Sequence, residues 1–258
     1  MHVLTLRPFL LAVILTLPVC GAEIAKADLQ MVQAKLALAH RYLELTWREL
    51  FPQQKPPTPM PRIVPYQRGI LSGCGRLGPR NAYFCGADNS IYYDEVFLTQ
   101  LAKAAGAALR TDGDYAAVVA LAHELGHAVR FRQDSEACAK AKGTIAASLI
   151  CSPNPFEARY LREAQADCYA GAVTKRFREA RLLDPGDFEE AQFAMGNLGD
   201  APILKLSKIE MEPYMMNFLQ SHGEGTARRR HFEVGYKSGA IACRDSSQVV
   251  ANDRKFTK

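Results

Sequence analysis

The uncharged run Ala116-Ala-Val-Val-Ala-Leu-Ala122 leads without a break into His123-Glu-Leu-Gly-His127-Ala128. Nothing in this stretch stops a helix, and one helix is expected from about 115 to 132. On a helix, residues four apart share a face, so the imidazoles of His123 and His127 project side by side and can share one tetrahedral metal ion. Glu124 is rotated about 100° from His123 at 3.6 residues per turn. It therefore lies beside the two histidines, where a carboxylate can take a proton from a metal-activated water and pass it to a leaving amine. The pattern His-Glu-x-x-His is the signature of a zinc hydrolase.

A catalytic zinc usually has three protein ligands and keeps one position open. The metzincin pattern would place the third ligand at the end of HExxHxxGxxH, but Arg130 and Gln133 replace its glycine and last histidine, which excludes that class. A second helix, expected from about 156 to 182, carries Glu163-Ala-Gln-Ala-Asp167. Both carboxylates fall on one face, followed there by the small residues Ala170, Gly171 and Thr174, which would let this helix approach the first. Glu163 is expected to complete the zinc set. Asp167 is expected to accept the Nδ1 proton of a ligand histidine and fix its tautomer. Glu136 and Glu157 are the competing ligands. The oxyanion formed during attack needs a stabiliser, for which His222 and Arg228 are the candidates.

Seven cysteines occur, one of them, Cys20, inside an N-terminal segment unlike the rest of the chain. There Arg7 precedes an apolar run from Phe9 to Val19, followed by the small residues Gly21 and Ala22, the pattern of a secretory signal peptide over residues 1–22. The run is well short of the roughly 20 residues a spanning helix needs, so no stable membrane span is expected after cleavage. A periplasmic or secreted location follows. The remaining Cys74, Cys85, Cys138, Cys151, Cys168 and Cys243 then read as a disulfide framework. Sequence locality suggests Cys74 with Cys85 and Cys138 with Cys151, leaving Cys168 to tie a central helix to the tail through Cys243.

Helical spacing of apolar residues from Glu23 to Leu50 predicts an amphipathic helix, and six prolines between Pro52 and Pro65 predict an extended linker ending in an edge strand near Arg62 to Tyr66. Short aromatic and β-branched runs at 81–85 and 90–93, separated by Gly86-Ala-Asp-Asn89, predict a hairpin. A helix from about Asp94 to Leu109 follows, and Thr111-Asp-Gly-Asp114 is a turn whose last residue can cap the next helix. Further helices are expected at 187–197, 201–220 and 227–238. The fold class is thus α+β, mostly helical, with a two-helix zinc site and a small flanking sheet. Residues 23–65 form an N-terminal helix and linker, and residues 66–258 the catalytic domain. The net charge of +5 is spread along the chain apart from Arg228-Arg229-Arg230, which is too little for a nucleic-acid footprint.

Taken together, Cys74-Gly75 with Tyr83-Phe84-Cys85, Asp88 with Ile91-Tyr-Tyr-Asp94, His123-Glu-Leu-Gly-His127, Glu163-Ala-Gln-Ala-Asp-Cys-Tyr-Ala-Gly171, Gly199-Asp200, and His222-Gly223 with Arg228, Phe232 and Gly235-Tyr236 resemble the neutral zinc metallopeptidase family of bacterial proteins, a gluzincin-type group. The resemblance implies one zinc per chain at His123, His127 and Glu163, Glu124 as base, and a peptide or protein substrate. His231 stands where family members usually carry an aromatic residue. Two other readings share the motifs: a catalytically silent zinc-binding envelope or assembly factor, and a zinc amidase that does not act on peptides.

Overall fold

In a computed structural model of the chain, the described residues are 24–52, 58–142, 155–198 and 223–253. The expected signal peptide, the 201–220 helix, His222 and Cys151 fall outside them. The architecture is α+β and mostly helical, as the residue patterns predict.

Helix α1 (Lys26–Leu50) buries Val32, Leu36, Ala39, Leu43, Trp47 and Leu50, one face of a 3.6-residue period. It packs on α2 (Glu95–Leu109), α3 (Tyr115–Ala141) and α4 (Pro155–Glu179). The predicted strand and hairpin form a three-stranded sheet from β1 (Arg62–Tyr66), β4 (Ala82–Cys85) and β5 (Ser90–Asp94), in the order β1-β5-β4. Strand β1 runs parallel to β5, and β4 runs antiparallel to it with Phe84 opposite Ile91. Pro65 is tolerated in β1 because that strand is an edge.

A two-stranded hairpin, β2 (Ile70–Ser72) and β3 (Gly75–Leu77), sits beside this sheet. It is fastened by the Cys74–Cys85 disulfide and by Asp88, whose Oδ2 accepts from the Gly73 N–H at 2.7 Å and the Tyr92 hydroxyl at 2.6 Å.

Helix α3 is buried on all sides from Tyr115 to Gly126, so it runs through the core with the other elements around it. It continues to Ala141, past the predicted end near 132, which places Cys138 in its last turns and not in a loop. Cys138 is disulfide-bonded. Its expected partner Cys151 lies outside the described residues.

The start of α3 departs from expectation. Asp114 occupies the cap position but its side chain makes no capping bond. It turns instead to Lys35 of α1, 3.3 Å away. The N-terminal amides are met by Glu190 of α5 (Asp187–Asn197), whose two oxygens accept from Gly113 and Tyr115 N–H at 2.9 Å each. Lys35 also pairs with Asp184 at 2.8 Å and Asp187 at 3.0 Å. Burial works against the Lys35 ammonium, but the carboxylates outweigh it and raise its pKa. One ammonium has a donor for each of the three carboxylates but only one positive charge to set against them. Burial pushes the Asp114 carboxyl up to about 6, with Asp187 adding to the effect against the pull of Lys35.

Gly126 lets α3 and α4 touch: a Cβ there would stand 2.5 Å from the Ala166 Cα. Gly171, expected to serve the same contact, faces α6 (Gly225–Ser238) instead, where a Cβ would meet the Phe232 carbonyl oxygen. Gly235 returns the favour from α6, lying against the Cys168 carbonyl. That close crossing is locked by the Cys168–Cys243 disulfide, which ties α4 to the 3-10 turn Ala240–Cys243 ahead of α7 (Ser246–Asp253). Both predicted pairings that fall wholly within the described residues are present.

Candidate metal centre

The contact through Gly126 brings one turn of α3 against one turn of α4, and the four predicted side chains meet there. His123 and His127 present their rings nearly perpendicular, with centroids 4.6 Å apart. Glu163 reaches both: its Oε2 lies 3.2 Å from His123 Nε2 and its Oε1 lies 3.5 Å from His127 Nε2. Asp167, one turn further along α4, places Oδ1 at 2.8 Å from His123 Nδ1. Arg228 Nη2 also comes within 3.2 Å of Nδ1, but the carboxylate is the nearer partner, so the proton is assigned to Nδ1 and Nε2 keeps its lone pair toward Glu163.

This arrangement fits a zinc ion. Acceptor oxygens facing imidazole lone pairs repel unless a cation, proton or metal, stands between them. Two ligand atoms on one tetrahedral zinc lie about 3.3 Å apart, given metal–ligand bonds of about 2.0–2.1 Å, and the two contacts to Glu163 bracket that spacing. Borderline-soft nitrogen with one carboxylate also suits zinc better than magnesium or calcium.

The electrostatics agree. Burial pulls the His123 pKa down, but the bonds to Asp167 and Glu163 overcome it and raise the ring to about 9, the mark of a site built to hold positive charge. Burial raises the Glu163 carboxyl, yet His127 and His123 outweigh it and hold it well below the ordinary carboxylate range. His127 is 21% exposed against 5% for His123, so the approach from solvent lies on the His127 side.

Glu124 comes within 4.8 Å of the histidine nitrogens but is held elsewhere. Its Oε2 accepts the backbone N–H of Phe84, on edge strand β4, at 2.9 Å. Burial raises its pKa against the pull of His127 and His123.

Arg228 of α6 is resolved as a buried, carboxylate-paired arginine. Its Nη2 and Nε donate to Asp167, the shortest bond being 2.7 Å, and its Nη1 donates to the Leu198 carbonyl at 2.8 Å. Asp167 is thereby fixed between His123 and Arg228, and its own carboxyl is lowered: burial raises it, but Arg228 and His123 prevail.

The other sequence candidates have contacts of their own. Glu136 pairs with Arg132 at 2.9 Å. His231 is buried with its ring 5.9 Å from that of Tyr160. The side chain of Glu157 is outside the described residues. Sequence reasoning missed the Phe84 N–H and the Gly126–Ala166 contact. Glycine inside a helix was the available signal for the second, whereas a backbone donor leaves none.

A family model described as "Putative neutral zinc metallopeptidase" matches residues 20–247. The uncharacterized protein YpfJ of Escherichia coli (strain K12) is 30% identical over 200 residues, spanning 76% of this chain and 64% of that protein. The uncharacterized protein Rv2575 of Mycobacterium tuberculosis is 25% identical over 224 residues, spanning 81% of this chain and 69% of that protein. The chain thus covers less than two thirds of the Escherichia coli relative's length. No solved structure matches.

Proposed function

The chain belongs to the putative neutral zinc metallopeptidase family, and from that membership we propose that it is an exported zinc-dependent peptidase that hydrolyses amide bonds in peptides or proteins. The carrying observation is the meeting of His123 Nε2, His127 Nε2 and the Glu163 carboxylate at 3.2 and 3.5 Å, with the Glu124 carboxylate beside them.

His123, His127 and Glu163 are the proposed ligands of one zinc ion. Zinc held there supplies Lewis acidity, which polarises a scissile carbonyl and acidifies water. Glu124 is the proposed base: it takes the proton of the attacking water and returns it to the leaving amine. Its buried, raised carboxyl suits the second transfer, because a group with raised pKa holds the proton it must deliver. The Phe84 N–H restricts Glu124 to one orientation during both. Asp167 keeps the His123 proton on Nδ1, and Arg228 keeps Asp167 in place.

A purely structural site has no use for a carboxylate pinned beside the ligands, which favours the enzyme over the silent binding protein. Export rests on the N-terminal apolar run together with the disulfides Cys74–Cys85 and Cys168–Cys243. No helix among the described residues is long and apolar enough to cross a membrane.

The experiment is digestion of a mixed peptide library by the zinc-loaded, oxidised protein. Cleavage that stops on chelation and returns with zinc supports the peptidase. Zinc binding without peptide cleavage returns the chain to the silent factor or to an amidase with other substrates.

A further inference from the structure

A cavity of about 150 Å3 borders His123, Glu124 and Arg228 beside the proposed site. The apolar part of its wall comes from Phe97 of α2 and from Met195 and Leu198 at the end of α5. The turn Arg80-Asn81 closes the wall where the chain enters β4. A space of this size, opening beside the reacting groups, holds one side chain.

The two arginines on its wall differ in one respect. Arg228 is neutralised, bonded to both oxygens of Asp167 and to the Leu198 carbonyl. Arg80 is exposed, and its guanidinium has no hydrogen bond or ion pair among the described residues. Its main chain is nonetheless fixed. Arg80 stands in the left-handed region at φ 60°, uncommon for a side-chain-bearing residue. It is held there by the buried Asp94, whose Oδ2 accepts the Arg80 N–H at 2.8 Å while Oδ1 caps α2 at Val96. The anchored backbone fixes where this side chain leaves the cavity wall; exposed Arg68, Arg110 and Arg181 also have positive φ, and what sets Arg80 apart is its place on that wall.

We propose that the cavity takes an apolar side chain of a peptide substrate, and that Arg80 is a specificity-determining residue that pairs with a carboxylate on the same end of that substrate. The inference rests on the peptidase reading of the neighbouring site. The carboxylate is either the free C-terminus of the residue seated in the cavity or an acidic side chain just after it. Arginine matches a carboxylate with two parallel donors, and an amide in its place would lose the charge and one acceptor.

The test uses the zinc-loaded Glu124→Gln protein, so that binding is read without turnover. Three leucine peptides are titrated by calorimetry: acetyl-Gly-Gly-Leu as the free acid, the same peptide as the C-terminal amide, and acetyl-Gly-Gly-Leu-Glu amide, with acetyl-Gly-Gly-Gly free acid as the comparison at the third position. At least one carboxylate peptide should bind roughly tenfold tighter than the plain amide, the size of a charged hydrogen bond. Which one wins identifies the C-terminus or the acidic side chain as the source. Adding Arg80→Gln should erase that preference and Arg80→Glu should invert it, with leucine still favoured over glycine at the third position. Equal binding of all three peptides, no binding of any, or a preference that survives Arg80→Gln overturns the proposal. A preference of this kind in a protein that cleaves nothing would keep the pocket and remove the peptidase; cleavage without the preference would do the reverse.

Discussion

The peptide N–H of Phe84 donates to Glu124 Oε2 at 2.9 Å, so the edge strand of the small sheet holds the side chain that the proposed chemistry uses as its base. The sheet contributes to the site through a backbone group and the helices through side chains. Glu124→Gln keeps an acceptor for that N–H and removes the basicity. The variant should fold and take up zinc as the parent does, with hydrolysis reduced by roughly a hundred- to ten-thousandfold. Measured peptide cleavage within a few-fold of the parent would remove Glu124 from the role of base.

Asp167 is the only carboxylate among the described residues that meets both His123 and Arg228. Asp167→Asn leaves the shape and loses the charge that holds the His123 proton on Nδ1. Zinc affinity, read by competition with a chromophoric chelator, should fall by roughly ten- to a hundredfold. Unchanged affinity would mean that α3 alone orients His123.

The Gly126 contact bears on both stability and metal binding. Gly126→Ala puts a methyl group 2.5 Å from the Ala166 Cα, a backbone atom that cannot move alone. Denaturant unfolding should show a loss of about 1–3 kcal/mol, with weaker zinc retention as α4 is pushed from α3. A neutral result would show that the two helices have room to slide.

Lys35 anchors α1 to the start of α3 and α5. In Lys35→Met the buried Asp187 and the half-buried Asp114 lose their cation, which should cost about 3–5 kcal/mol at pH 7.5. The Asp114 pKa is raised in the folded protein, from 3.8 to about 6. Its contribution to stability is therefore full below about pH 3.8 and is lost as pH rises through about 6. Without Lys35 that loss is larger, so the gap between variant and parent should shrink from pH 7.5 to pH 4.5 in urea titrations. A gap independent of pH would place the effect of Lys35 in packing alone.

Much of this was legible from residue order because the signals were local. The spacing of His123 and His127, the paired carboxylates of Glu163 and Asp167, the hairpin at 81–93 and the disulfide Cys74–Cys85 depend on short-range periodicity or proximity, and Cys168–Cys243, 75 residues apart, followed only as the pair left over. What escaped is relational. The role of Arg228 needed the position of α6 against α4, the capping of α3 by Glu190 crosses 75 residues or more, and the Phe84 donor is a backbone group that any residue could supply. Gly171 was assigned to the wrong neighbour because a small residue signals a close approach without saying to which helix.

The measurement that bears most directly on the account is the metal content of the oxidised mature protein after dialysis, beside His123→Ala and Glu163→Ala. The account predicts about one zinc per chain in the parent and loss or sharp weakening in both variants, with the fold of each verified by circular dichroism. Zinc retained without Glu163 would move the third ligand elsewhere, and a parent protein that holds no zinc would contradict the metal centre itself.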